Sequence, residues 1–170
     1  MKNQRLVVIS IFTFALITLV LGITFAQTVQ MTESEVRAFE MSVFELTNIE
    51  RINHGVRPLI WHETLASAAR AHSADLMRND IRGHTGSDGS TVRQRMERAG
   101  ISNISGWSEN ISYGRRTPEA VVEGWMNSPG HRANILNAAR THLGVGFVQR
   151  PGGSTAQFLT YCTQKFATFR

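Results

Sequence analysis

The sequence predicts an α+β fold in which helices come first and an antiparallel hairpin comes last. Three observations carry this. Apolar residues recur at three- to four-residue spacing through the first two thirds of the chain. Near Leu143 the period changes to two, with Leu143, Val145 and Phe147 alternating with Gly144, Gly146 and Val148. The turn-forming run Pro151-Gly152-Gly153-Ser154 then separates that segment from another from Gln157 to Thr168. At 170 residues and 42% hydrophobic, one domain with its own core accounts for the length. The lone Cys162 excludes an internal disulfide framework and a cysteine zinc finger.

The N-terminus reads as an address. Lys2 and Arg5 precede an uncharged apolar run from Leu6 to Phe25, and Ala26 closes a small-residue cleavage pattern. Residues 1–26 are therefore expected to be a secretory signal peptide. A run of this length also reaches across a bilayer, so a retained anchor is the alternative. Both place the domain outside the cytoplasm, secreted or in the cell envelope. Residues 27–40 form the lead-in and the start of the first helix, and residues 41–170 the main domain. Losing residues 1–26 lowers the formal charge from +5 to +3. The arginines are dispersed and lack interleaved aromatics, which argues against a nucleic-acid partner.

Thr32 and Glu35 form a capping box that opens the first helix, whose apolar face is Val36, Phe39, Val43, Leu46, Ile49 and Ile52. Gly55 and Pro58 end it. A second helix is expected from Glu63 to Asn79, with five alanines that allow close approach to a neighbouring layer. Residues 82–90 read as a loop, followed by a third helix near 91–99 capped by Ser90. A fourth starts with Thr117 as cap and Pro118 at its first position, and turns Val121, Val122 and Trp125 inward.

No phosphate-binding glycine loop, Gly-x-Ser-x-Gly or His-Glu-x-x-His occurs. His84 and His131 sit instead among glycine and proline, in segments read as loops, and Glu109 lies between Trp107 and Tyr113. Two imidazoles and a carboxylate are a competent donor set for a divalent metal. Separations of 25 and 22 residues are no local ligand spacing, however, and three unrelated loop residues remain the alternative.

From Val43 onward the chain resembles the CAP superfamily, or SCP domain, in its bacterial form. The resemblance runs through Leu46-x-Asn48-x-x-Arg51, Leu65-x-x-Ala68-Ala69-Arg70-x-His72-Ser73, His84 and Glu109-Asn110-Ile111. It continues in the run from Trp125 to Leu136, in Gly144-Val145-Gly146, and in Tyr161-x-Thr163-Gln164-x-Phe166. It implies a three-layer α-β-α sandwich with a central antiparallel sheet and a cleft. Family members with two His and two Glu there can bind a divalent cation. His84, Glu109 and His131 match three of these positions, and Ser128 stands where the fourth, a Glu, is expected. With one carboxylate missing, Zn²⁺ is favoured over Mg²⁺, or the site carries no metal. Asn110, Ser128 and Arg132 are the other expected cleft residues.

The functions this implies are a monomeric extracellular binding module for a lipid, another small ligand or a cell-envelope partner. The alternatives are a metal-assisted hydrolase using His84, Glu109 and His131, and a structural envelope protein with a vestigial cleft. His72 is expected to be a core histidine, the tryptophans packing residues, and Cys162 a small buried group.

Overall fold

A computed structural model describes residues 30–152 and 154–170. The expected signal peptide lies outside these residues. Among them no helix is long and apolar enough to cross a membrane.

Among the described residues five helices and four strands follow in the order α1 (Glu33–Asn53), β1 (Ile60–Trp61), α2 (Glu63–Asn79), α3 (Val92–Arg98), β2 (Ile104–Tyr113), α4 (Pro118–Met126), α5 (Pro129–Ile135), β3 (His142–Gln149) and β4 (Thr160–Phe169). The strands form one sheet in the order β1-β3-β4-β2. It is mixed rather than purely antiparallel, because the two-residue β1 runs parallel to β3. α1 and α4 cover one face and α2 with α3 the other, so the three-layer α-β-α expectation holds.

Local signals set most helix boundaries. Thr32 and Glu35 make the capping box of α1, and Thr117 caps α4 ahead of Pro118. The cap of α3 is Thr91, reciprocated by Gln94, and not Ser90. The apolar stripe of α1 is shorter than expected. Phe39 and Val43 are buried, but Ile49 and Ile52 are 50% and 59% exposed. Thr47 and Arg51 are buried in that half of the helix instead.

Arg51 has a structural task. Its guanidinium donates to the carbonyls of Arg57, Ile135, Asn137 and Arg140 at 2.5–3.2 Å. It thereby holds the C-terminal end of α5 and the segment leading to β3. Three segments lie where no element was expected: β1 is the pair Ile60–Trp61, β2 fills 104–113, and His131 stands on α5 rather than in a loop. The β3–β4 connection spans residues 150–159, so the second strand begins at Thr160 rather than Gln157.

Period-two alternation sorts β3 and β4 between the layers. Val145, Phe147, Cys162 and Phe166 pack with Phe39, Val43, Val121, Val122 and Trp125. On the opposite face the α2 backbone passes directly over Gly144 and Gly146. A Cβ on either glycine would overlap main-chain atoms of Ala66 or Arg70. The alanines of α2 and these glycines therefore define one close helix–sheet contact. Gly146→Ala is expected to destabilise by about 3 kcal/mol, at the upper end of overpacking costs. Urea denaturation checks this, and Gly130→Ala, whose added Cβ meets nothing within 4 Å, serves as control.

Candidate functional site

β2 is an edge strand, and segments from both layers close over it. After α2 the chain turns at Asp80 into the loop bearing Gly83 and His84. That loop is tied back to α2 where the Asp75 carboxylate accepts from Ser87 N at 2.8 Å and from its hydroxyl at 2.5 Å. From the other layer α5 brings His131. The Asn110 side chain donates to the His131 carbonyl at 3.1 Å and accepts from the Asn134 amide at 2.8 Å. His84 and His131 thus line one open cavity of about 430 Å³ with Ser112, Tyr113, Arg115 and Phe158.

Glu109 lies beneath His84, its side chain 1% exposed. β2 and β4 pair so that Glu109 stands directly opposite Lys165, on the sheet face that α2 covers. The Lys165 ammonium, 0% exposed, donates to Glu109 Oε2. Arg95 Nη2 lies 3.3 Å from both carboxylate oxygens, His84 Nδ1 bonds to Oε1 at 2.9 Å, and His72 Nε2 is 3.6 Å away. Burial alone raises a carboxyl pKa. Here the hydrogen bond from His84 and the charge of Lys165 outweigh it and hold Glu109 down to about 2. Burial pushes His72 down to about 4 despite the Glu109 carboxylate beside it, and pushes Lys165 down against the pull of that same carboxylate. His131 is lowered by burial and by neighbouring His84 and Arg115.

These residues do not fit a divalent cation. Both Glu109 oxygens are engaged, the group is sealed from solvent, and two cationic side chains stand where a metal would approach. Among the described residues no group of three His, Cys, Asp or Glu is placed to hold a metal ion. The expected set His84, Glu109 and His131 therefore divides into two imidazoles lining the cavity and a carboxylate buried beneath His84.

The other expected cleft residues lie elsewhere. Asn110 is fully buried and acts behind the wall by fixing α5. Ser128 is the N-cap of α5, without a side-chain cap bond, and does not line the cavity. Arg132 points away and meets His54 at 3.0 Å. Lys165, Arg95, Arg115, Tyr113 and Phe158 were not anticipated. One signal was visible: Lys165 is the chain's only lysine beyond Lys2, set in an otherwise uncharged strand. Cys162 is buried and its thiol pKa is raised by that burial, so it packs rather than reacts.

Removing one member of a buried ion pair leaves the other uncompensated, at roughly 3–5 kcal/mol. Glu109→Leu is expected to fall in that range by chemical denaturation, and Glu109→Leu with Lys165→Met to cost less than Glu109→Leu alone. The same cluster sets an acid limit. Glu109 and His72 both have folded pKa values below their ordinary ones, so the unfolded chain binds more protons and stability rises with pH. The His72 contribution is complete above pH 6.5 and is lost as pH falls toward 4; that of Glu109 is complete above 4.5 and is lost toward 2. Urea midpoints between pH 7 and pH 4 should fall, and His72→Leu should flatten that interval.

Comparison with known proteins agrees with this architecture. A profile of the cysteine-rich secretory protein family, CAP, matches residues 44–166. The uncharacterized protein YkwD of Bacillus subtilis is 44% identical over 126 residues, covering 74% of this chain and 49% of that protein. The uncharacterized membrane protein YlbC of the same organism is 37% identical over 107 residues, covering 63% of this chain and 31% of its own length. The chain thus spans half or less of these relatives. An extracellular SCP-domain protein from Bacillus anthracis superposes with a TM-score of 0.70 at 30% identity, covering 83% of this chain and 45% of that one. An outer surface protein of Borrelia burgdorferi shares the fold, with a TM-score of 0.70 at 19% identity over 84% of this chain and 98% of its own. The chain belongs to the cysteine-rich secretory protein family and carries a CAP, or SCP, domain of bacterial type.

Proposed function

We propose that this domain is an extracellular binding module whose cleft takes a small ligand with an acidic head and an apolar body, without a metal. The observation that carries this reading is the division of labour around Glu109. The carboxylate is buried and neutralised by Lys165 and Arg95, while His84, His131 and Arg115 present nitrogen donors to the cavity. Tyr113 and Phe158 supply its apolar wall. Such a surface favours the head group of a fatty acid, an acidic lipid or an anionic cell-envelope fragment.

The hydrolase alternative is less well supported. A general base works best with a pKa near the operating pH, and Glu109 is held near 2 and out of contact with the cavity water. A lipid reading gains from a groove between α1 and α4, where Leu46, Ile49, Val122 and Met126 form an apolar strip of about 340 Å³. Its rim is acidic, through Glu50, Glu119 and Glu123, and would repel an acidic head. The acidic head is accordingly assigned to the His84–His131 cleft.

Titration with decanoate, followed by NMR, is expected to shift the His84 and His131 ring signals saturably, whereas decanol leaves them in place. His131→Ala should weaken decanoate by roughly tenfold, the equivalent of one charge-assisted hydrogen bond. Zinc measured by mass spectrometry should stay substoichiometric after incubation and desalting. Stoichiometric zinc that disappears in His84→Ala would overturn the metal-free reading.

A further inference from the structure

A second cavity lies on the far side of Glu109, between α2, α3 and the loop that joins them. Its volume is about 420 Å³, and Ala68, Ala71, His72, Ser90, Arg95 and Ala99 are part of its wall. Buried polar atoms in folded proteins are almost always hydrogen-bonded. Six buried side-chain atoms among the described residues have no partner, and four belong to this one wall: both ring nitrogens of His72, the Ser90 hydroxyl and Arg95 Nε. His72 is 1% exposed, so ordinary bulk hydration does not serve it.

The surroundings define what is missing. Arg95 is anchored through its other two nitrogens: Nη1 donates to the Ser90 carbonyl at 2.7 Å, and Nη2 to the His84 carbonyl at 2.9 Å and to Glu109. Its Nε–H remains free. The nearby carboxylates are already engaged. Asp75 accepts from Ser87 and Asn79, and Asp88 from the Ser90 main chain and from Arg98. The unfilled capacity is therefore of donor type and centres on the guanidinium N–H; the Ser90 hydroxyl, which also reaches Asp88, and the His72 ring, which also reaches the Gly83 main chain, stand beside it. The three alanines leave room beside it for a short aliphatic body. Asp75 and Asp88 stand in the same wall and oppose a second negative charge, which favours a singly charged ligand over a phosphate dianion.

We infer that this cavity is a second binding site, distinct from the His84–His131 cleft, for a monocarboxylate on a short aliphatic body, received by Arg95 Nε, Ser90 Oγ and His72. The carboxylate belongs either to a free small acid or to the C-terminus of a peptide. Arg95 and His72 also touch Glu109, so an occupant here meets the same buried carboxylate that underlies the cleft.

Side-chain ¹H–¹⁵N spectra of the protein, with the Arg95 Nε–H signal identified by Arg95→Lys, test this directly. Propionate and N-acetylalanine should each shift that signal saturably, and propionamide should not. A response to N-acetylalanine alone identifies a peptide terminus as the source; a response to propionate alone identifies a free acid. Ser90→Ala should weaken the effective ligand between about threefold and tenfold, the worth of one hydrogen bond. His72→Leu, with its thermal midpoint checked beside it, should weaken it as well. No saturable shift, or an equal shift with propionamide, means the cavity holds only water and overturns the site. Propionate that moves the His84 and His131 signals but not Arg95 overturns this site and leaves the cleft reading standing.

Discussion

The cross-strand pair of Glu109 and Lys165 is the constraint from which the rest of the site follows. Two opposite charges sit almost out of contact with water, where an isolated one would cost several kcal/mol. They are tolerable only because β2 and β4 are registered with these residues face to face. A slip of one residue would turn one of them to the opposite sheet face and strand both. The register, the close packing of α2 that excludes water, and the ionised state of Glu109 are thus one condition. His84 depends on it in turn, because its orientation comes from the bond between Nδ1 and that carboxylate. With the Nδ1–H given to Glu109, Nε2 is the nitrogen left for the cavity, and it donates there when the ring carries both its protons.

A charge held internally changes what the cleft can do. A carboxylate open to solvent beside two imidazoles invites a cation. The same carboxylate, already paired with an ammonium and a guanidinium, offers no such invitation and leaves the imidazoles as the reactive surface. Lys165, which supplies the ammonium, is flanked in β4 by Gln164 and Phe166, which face the other layer.

The readable parts of the sequence were those whose signals are local. Capping residues and three- to four-residue spacing located α1, α2 and α4, and alternation located β3. β2 escaped because its burial does not alternate: Glu109, Asn110, Ile111 and Ser112 are all buried, on two faces, and three of the four are polar. α5 escaped because seven residues with Pro129 and Gly130 at the start carry too little periodicity to register. His84, Glu109 and His131 stood out in their own segments, but their belonging to one site was legible only through the family resemblance. Their counter-ions were not, because Lys165 is 56 residues from Glu109 and meets it through a strand register that no short window contains. Arg51 was visible in a motif, yet its role as a buried donor to four carbonyls depends on chain ends brought together by the fold.

Placing the cleft on the β2 edge has a mechanical consequence. An open sheet edge must be covered or blunted to avoid pairing with another chain. Here the cover consists of the His84 loop from one layer and α5 from the other. The loop is pinned to α2 through Asp75 and Ser87, and α5 is pinned through Asn110, Asn134 and Arg51. The two imidazoles therefore ride on separately anchored bodies with only the edge strand between them. A ligand bound between the two imidazoles would bridge those bodies across the edge strand.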